Sequence, residues 1–587
     1  MQAVILHTIQ DVKHCLKHGL HKDAKLFSAN VNVVYYLKYY YGIECKNLCS
    51  YIETEEYFCI HENAIEISKL VLNELDQQIA PQLNQATGLS IKYFEPLYSY
   101  DGALQLALSM LFTHFLTCML RQEQWDVVLI YDGVVGTLNS CIEDFLTKIF
   151  PEDDFQIVRY KSFSQTDNTK ISNIDFKDIL QVLQQYDGSK IPNVSLRQQG
   201  VNSKQVLVFE PMTMLHFIQE IDTSNQYAFN LWAPLPDSAN KFAIGYRNLP
   251  SDNCLKSIRL AKENVKGIVS LFYQAVREDF CRNLVQYLQV VHAYKRIHEE
   301  NPIQHVYWER PPYQGVGALL VAYFMTNQAS KVIGVQSDGT FYVGQVISPY
   351  SFIHGLNRCQ YYLTQGATQD DVDALYPEAA GNIEVIPPVA AEIRGTDQFQ
   401  EGISVDVAIY LDWTISFNQM GIMANVEIQE ALLDFLETQQ NKIIHVVTQK
   451  NTVLENYAML SKLNLLKNVK MIQIDGINDY ISKYTPKVII INSFIACLRD
   501  LVFKDISVII LKYALFKFKE QVLELLKQRI YYAEDLAEVK LLLQMSFAGK
   551  LDKKSDTTYG GKFWNCYGLK ENLLRLNNKL CKKTDRR

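Results

Sequence analysis

Two acidic residues stand where chemistry in α/β proteins collects, at the carboxyl ends of apolar runs that read as buried strands. Asp338 follows KVIGV in the run Gln336-Ser337-Asp338-Gly339, and Asp132 follows WDVVLIY and precedes Gly133. A carboxylate so placed can take a proton from a substrate hydroxyl, while the adjacent glycine lets the substrate approach the backbone. Ser-Asp-Gly and Asp-Gly also form turns, so each acid has a purely structural alternative. His354 and Glu309 are lesser acid–base candidates, because a lone histidine, or a glutamate beside Arg310, serves structure as readily. A second set suits anions. Asn492 and Ser493 sit between a strand-like KVIII and a helical stretch, where backbone N–H groups and a hydroxyl can hold a phosphate or simply cap the helix. Thr448 and Lys450 end another strand of the same region, with a solvated loop lysine as the alternative, and Arg310 offers a planar fork for phosphate. The one metal-like spacing is Cys45, Cys49, Cys59 and His61, C-x3-C-x9-C-x-H. It matches no standard zinc module, so these are expected to be core residues and no metal is expected.

The elements that must position these residues alternate. Residues 24–51 read as strand, helix, strand, with Gly42 as the helix stop, and two long helices follow at about 63–78 and 102–123. WDVVLIYDG, FQIVRY and QVLVFEP read as strands, and a helix spans about 257–299, the candidate for an internal bridge or insertion. From Tyr313 the order is helix (GVGALLVAYFMTNQ), strand (KVIGVQ), strand (CQYYLTQG), helix, and a strand ending in two prolines (IEVIPP). The stretch VAAEIRGTDQFQEG lacks apolar periodicity and places the main boundary near residue 400. Five strands then alternate with helices, as expected of one parallel-sheet domain of nucleotide-binding type. GVGALL lacks a third glycine and follows no obvious strand, so it is not read as a dinucleotide fingerprint.

Composition bounds the rest. The 587 residues are 48% hydrophobic and 21% charged, a globular balance. Fifty-seven Lys and Arg against 64 Asp and Glu give a net charge of −7, which argues against nucleic acid as a partner and makes any anion site local. The longest apolar stretches, such as Val316 to Met325, are about half of what a bilayer crossing needs, and no signal segment is evident, so a cytoplasmic protein is expected. The scattered cysteines agree with a reducing compartment. No Walker A, HExxH, GxSxG or kinase signature is present. The end of the chain, KENLLRLNNKLCKKTDRR, is basic with a leucine stripe (Leu573, Leu574, Leu576, Leu580). It suits either a peripheral contact with an anionic membrane or packing back on the first domain.

Two successive Rossmann-like series, the first closing in IEVIPPV and a linker and the second ending VIIINSF…LVFKDISVIIL, resemble the GT-B glycosyltransferases, in particular the bacterial group that builds capsule, lipopolysaccharide and other surface glycans. The resemblance implies an α/β fold of two Rossmann-like domains facing a cleft. The acceptor domain would span 1–400 with the helical insertion near 257–299, the nucleotide-donor domain 401–547, and a basic helical tail 548–587. It implies a metal-independent transfer of sugar from a nucleotide-sugar donor, used as substrate with no cofactor, to a surface-glycan or lipid-linked acceptor. Asp338, Asp132 or His354 would supply the base, and Asn492, Ser493, Thr448, Lys450 and Arg310 would hold the donor. Related transferases often carry Gln-His-Gly where this chain reads Gln336-Ser337-Asp338-Gly339, and a basic residue with His-Pro where it reads Thr448-Gln449-Lys450-Asn451. Two further readings follow: a catalytically silent module in a polysaccharide-assembly complex, and a sugar-nucleotide epimerase of the same architecture.

Overall fold

Short runs of Val, Ile and aromatic residues bounded by polar turns make the strands, and every strand pair joins in parallel. The computed structural model describes residues 1–19, 23–122, 124–131, 142–151, 153, 155–158, 205–209, 262–300, 302–309, 315–327, 330–336, 356–375, 377, 381–387, 402–410, 423–450, 460–491, 496–512, 520–563, 572 and 575–576. The first unit runs β1 (Gln2–Ile5), α1 (Ile9–His18), β2 (Ala24–Ser28), α2 (Val31–Tyr36), a π-turn (Leu37–Tyr41), β3 (Cys45–Asn47), α3 (Thr54–Thr87), α4 (Phe94–Gln122), β4 (Val127–Tyr131), α5 (Ile142–Ile149) and β5 (Phe155–Val158). Its five strands lie in the order β3-β2-β1-β4-β5. The second unit runs β6 (Gln205–Phe209), α6 (Lys262–Glu300), β7 (Ile303–Glu309), α7 (Gly315–Thr326), β8 (Lys331–Val335), β9 (Tyr361–Leu363), α8 (Gln369–Leu375) and β10 (Glu384–Ile386). These strands lie in simple sequence order, β6 to β10.

The third unit runs β11 (Ile403–Tyr410), α9 (Met423–Glu437), β12 (Ile444–Gln449), α10 (Leu460–Leu463), β13 (Val469–Ile474), α11 (Ile477–Ile481), β14 (Tyr484–Ile491), α12 (Ala496–Leu501), β15 (Ser507–Leu511), α13 (Glu520–Arg529), β16 (Tyr531–Ala533), α14 (Leu536–Phe547) and α15 (Thr558–Phe563). Its sheet order, β13-β12-β11-β14-β15-β16, is doubly wound, reversing between β11 and β14.

Several expectations change. Among the described residues, the first 400 hold two five-stranded parallel sheets rather than one. The helix expected to be an insertion, α6, is the crossover between β6 and β7, a connection that neighbouring parallel strands require. β7 directly precedes the GVG segment, so that segment does follow a strand; a Cβ on Gly317 would sit 2.5 Å from the Trp308 ring, which is why a glycine stands there. β1 and β16 add strands to the outer units. Gly102–Gln122 of α4 is long and apolar enough to cross a membrane, longer than any stretch expected. Here it is a core helix, with Leu106, Met110, Leu111, Phe115 and Met119 fully buried.

α4 packs on α3, α6 and α7, joining the first two units through one helical layer. Gly102 marks a close crossing, since a Cβ there would lie 2.6 Å from the Phe272 ring of α6. Asp76 of α3 accepts the backbone N–H groups of Tyr93, Phe94 and Glu95 at 2.7, 2.9 and 2.9 Å and so caps α4. Burial nonetheless raises its carboxyl above the usual range.

The first and third units meet across the π-turn. Glu430 of α9 accepts from Tyr35 Oη at 3.0 Å, from Lys38 Nζ at 2.7 Å and from Tyr39 Oη. Lys462 of α10 donates to the Glu430 carbonyl at 3.1 Å and pairs with Asp434. Burial works to raise the Glu430 carboxyl, but the bonds from Lys38, Tyr39 and Tyr35 outweigh it and hold it below the ordinary range.

The segment after α14 packs back, but on the third unit. Lys554 Nζ donates to the carbonyls of Lys527 and Ile530 at 2.6 and 3.0 Å, α15 packs on α13, and Tyr559 and Leu576 are fully buried. Arg529, also fully buried, spreads its guanidinium over the carbonyls of Leu501, Val502, Lys504 and Ile506, satisfying the end of α12 without a carboxylate. Burial lowers it to about 10. Arg529→Met strands these acceptors and should lower unfolding stability by roughly 3 kcal/mol. Urea denaturation followed by circular dichroism checks this, and an unchanged midpoint would contradict the role.

Candidate functional site

Ligands of open parallel sheets bind beyond the carboxyl ends of the strands. In each of the three sheets that edge carries a buried polar atom with no hydrogen-bond partner among the described residues. A group of this kind costs about 1–3 kcal/mol unless something else satisfies it.

In the second sheet, two glutamines tie the ends of β8 and β9 together. The Gln336 backbone N–H donates to the Leu363 carbonyl at 2.9 Å, Gln336 Oε1 accepts from the Gln365 N–H at 2.8 Å, and Gln365 Nε2 returns a bond to the Gln336 carbonyl at 3.0 Å. Gln365 is 4% exposed and its Oε1 has no partner among the described residues. Next to it, Thr364 Oγ1 bonds the Ala367 carbonyl at 2.6 Å, and Thr368 with Asp371 forms the capping box of α8. The edge is thus preorganised around one open acceptor, and Asp338 lies two residues beyond Gln336 in sequence.

In the third sheet, Thr448 is the penultimate residue of β12, 2% exposed, and its hydroxyl has no partner among the described residues. Lys450 is exposed. Its backbone N–H donates to the Ile474 carbonyl at 2.7 Å and its ammonium to Asp475 Oδ2 at 2.6 Å, which raises its pKa. Strand order reverses between β11 and β14, and Asn492 and Ser493 follow Ile491, the last residue of β14.

In the first sheet, where order reverses between β1 and β4, the loop after β1 carries His7. Asp11 accepts the backbone N–H groups of His7 and Thr8 at 2.9 and 2.8 Å, and Asn30 Nδ2 donates to the His7 carbonyl at 2.8 Å. The ring is buried, with Nε2 unpartnered, and its centroid lies 5.9 Å from that of Phe112. Burial lowers it to about 4 against the pull of Asp11, so it is neutral near pH 7.

Of the residues expected from sequence, Thr448 and Lys450 stand at and just past the carboxyl end of β12. Asp338, Asp132, His354, Arg310, Asn492 and Ser493 lie outside the described residues, as does the Glu309 side chain. Sequence reasoning passed over His7 and Gln365. Their signal was a polar residue two positions after the end of a short strand, β1 or β9. Among the described residues, no group of three or more His, Cys, Asp or Glu is placed to hold a metal. Cys45 packs in one core, and the His61 ring lies tilted with its centroid 4.5 Å from that of Tyr57, which belongs to the other.

No family model matches the sequence, and no curated protein does. Among solved structures, TarM aligns at a TM-score of 0.33 and 10% identity over 54% of this chain, which spans 60% of the length of TarM. UDP-GlcNAc 2-epimerase from Neisseria meningitidis, solved with UDP-GlcNAc, aligns at 0.36 and 12% over 65% of this chain and 100% of its own. MurG of Acinetobacter baumannii aligns at 0.31 and 9% over 64% and 100%. Likenesses at this level decide nothing about this chain.

His7 and His61 are both held near 4 by burial. With folded values below the unfolded 6.5, the stability each contributes is complete above pH 6.5 and is lost as pH falls towards 4, by about 3 kcal/mol per group. Urea midpoints measured from pH 7 to pH 4 should drop accordingly. His7→Gln should flatten part of that slope, and an unaltered slope would show that the ring is not buried in its neutral form.

Proposed function

We propose that the protein binds a nucleotide-sugar at the carboxyl edge of its third sheet and transfers the sugar to a glycan or lipid-linked acceptor of surface-polysaccharide assembly. The observation that carries this is the open, buried hydroxyl of Thr448 in a doubly wound sheet. Such an edge supplies a hydroxyl and strand-end backbone groups to a nucleotide, and Asn492 and Ser493, following β14 at the reversal of strand order, would add donors for the diphosphate. The exposed tie of Lys450 to Asp475 is one a phosphate can displace, because both partners keep most of their hydration. Residues 401–547 form the donor domain in this reading. Residues 1–400 supply the acceptor side, with Asp338 beyond the Gln336–Gln365 clamp as base, Asp132 or His354 as its substitutes, and Arg310 as a phosphate contact.

The chemistry asked of the protein is modest. Leaving-group charge is met by N–H donors, a hydroxyl and a lysine without a metal, and one carboxylate accepts the acceptor proton. A basic tail, 548–587, would keep a cytoplasmic enzyme near lipid-linked acceptors at the inner face of the membrane.

Thermal-shift titration with UDP, GDP, CMP and CDP compounds tests donor binding, since a ligand at about 100 times its Kd adds about 2.7 kcal/mol. Thr448→Val keeps the shape and removes the open hydroxyl. It should raise ligand-free stability by about 1 kcal/mol and weaken the nucleotide about tenfold. Asp338→Asn should abolish turnover and keep the nucleotide shift. No shift with any nucleotide would instead favour the silent module.

A further inference from the structure

The π-turn divides seven residues, Tyr35 to Tyr41, into two faces. Inward, Tyr35, Lys38 and Tyr39 are fastened to Glu430. Outward, Tyr36, Tyr40 and Tyr41 form a cluster of rings: the Tyr36 and Tyr40 centroids are 4.9 Å apart, and those of Tyr36 and Tyr41 5.6 Å apart. The π geometry makes this possible. A turn closed by i to i+5 hydrogen bonds, as from Gly42 N–H to the Leu37 carbonyl, lets residues four and five positions on both reach Tyr36. An α-helix would turn Tyr41 away.

Tyr40 and Tyr41 are 54% and 46% exposed, and Tyr36 is half-buried beside them. The outward face offers phenol rings and hydroxyls, held by the turn behind it, while the half-exposed Lys38 ammonium is paired with Glu430. An aliphatic partner would desolvate three phenol oxygens and return no hydrogen bonds. A sugar ring supplies both an apolar C–H face for stacking and hydroxyls for the phenols. Rigid tyrosines also lose little entropy on contact.

We propose that Tyr36, Tyr40 and Tyr41 form a platform that binds a neutral carbohydrate chain. This extends the proposed function by giving a glycan acceptor a holding surface, and it is read separately from nucleotide binding.

The full-length protein is run through native gels containing dextran, hydroxyethyl cellulose or soluble starch, alongside saturation-transfer NMR with chitohexaose. Retardation or transfer with at least one of these is expected. Tyr40→Ala/Tyr41→Ala should weaken it at least fivefold, with the nucleotide thermal shift unchanged, while Tyr40→Phe/Tyr41→Phe keeps most of it because the rings remain. Should the double alanine variant misfold, Tyr40→Ala alone, at the more exposed ring, should weaken binding at least twofold. The platform is overturned if the wild-type protein binds none of these carbohydrates, if the alanine variants bind as well as wild type, or if only anionic vesicles retain the protein. Carbohydrate binding without any nucleotide shift would uphold the platform and remove the donor reading instead.

Discussion

A parallel strand cannot be left with a face in water, and this requirement shapes the whole chain. Each sheet must be covered on both sides, and each step between neighbouring strands needs a crossover long enough to do the covering. The first unit spends two of its longest helices, α3 and α4, between β3 and β4. The second spends a 39-residue helix between β6 and β7. These helices share one layer, so the first two sheets cannot be treated as independent. The apolarity of α4 follows from its place there: touched by α3, α6 and α7, it has little surface left for water. Close crossing also explains where the small and capping residues fall, Gly102 against Phe272 and Asp76 across the start of α4.

Polar groups inside this layer are matched with care, as a low-dielectric interior demands. Asp279 accepts from Tyr98, Tyr287 and Asn283 at 2.8, 3.2 and 2.9 Å, and Arg358 reaches Glu95 and Ser99 at 2.7 and 3.1 Å. Glu430 follows the same rule between units: two phenols and an ammonium offset the desolvation of one carboxylate. Apolar residues surround it, since Tyr35 and Leu37 share a core with Leu433 and Leu463. The contact thus combines non-directional burial with a directional lock. The lock fixes which residues of the π-turn point inward, and so which rings face out.

Much of this was legible in the sequence. The third unit could be read almost strand by strand, because it holds unbroken apolar runs such as VIII (488–491) and VIIL (508–511), as buried parallel strands do. What escaped had a weaker local signature. β1 is a four-residue QAVI at the start of the chain, β16 a three-residue YYA, and β7, IQHVYWE, mixes polar residues into its alternation. The division of the first 400 residues into two sheets depends on hydrogen bonds between distant segments, which periodicity does not encode. Glu430 looked like any acid on an amphipathic helix, and nothing local connects it to tyrosines nearly 400 positions earlier. At the candidate site, Thr448 and Lys450 were found because strand ends can be read from apolar runs. That Asp475 would hold Lys450 depended on the register of β12 against β13.

An unpartnered buried atom is not by itself a site. Ser68 Oγ and Tyr294 Oη are also open, yet both lie in helices of the shared layer, and a Cβ on Gly102 would sit only 3.1 Å from Ser68 Oγ, leaving no room there for a ligand. Such atoms are the residue of tight helix packing. Thr448 and Gln365 satisfy a second condition, since each stands within two residues of the carboxyl end of its strand. At that edge, protein backbone ends and anything that completes the hydrogen bonding must come from outside the sheet. The two conditions together, rather than either alone, select these edges as places for a ligand. They select a polar one, because the open groups are a hydroxyl and an amide oxygen, which gain from hydroxyls, amides and phosphates and nothing from an apolar guest.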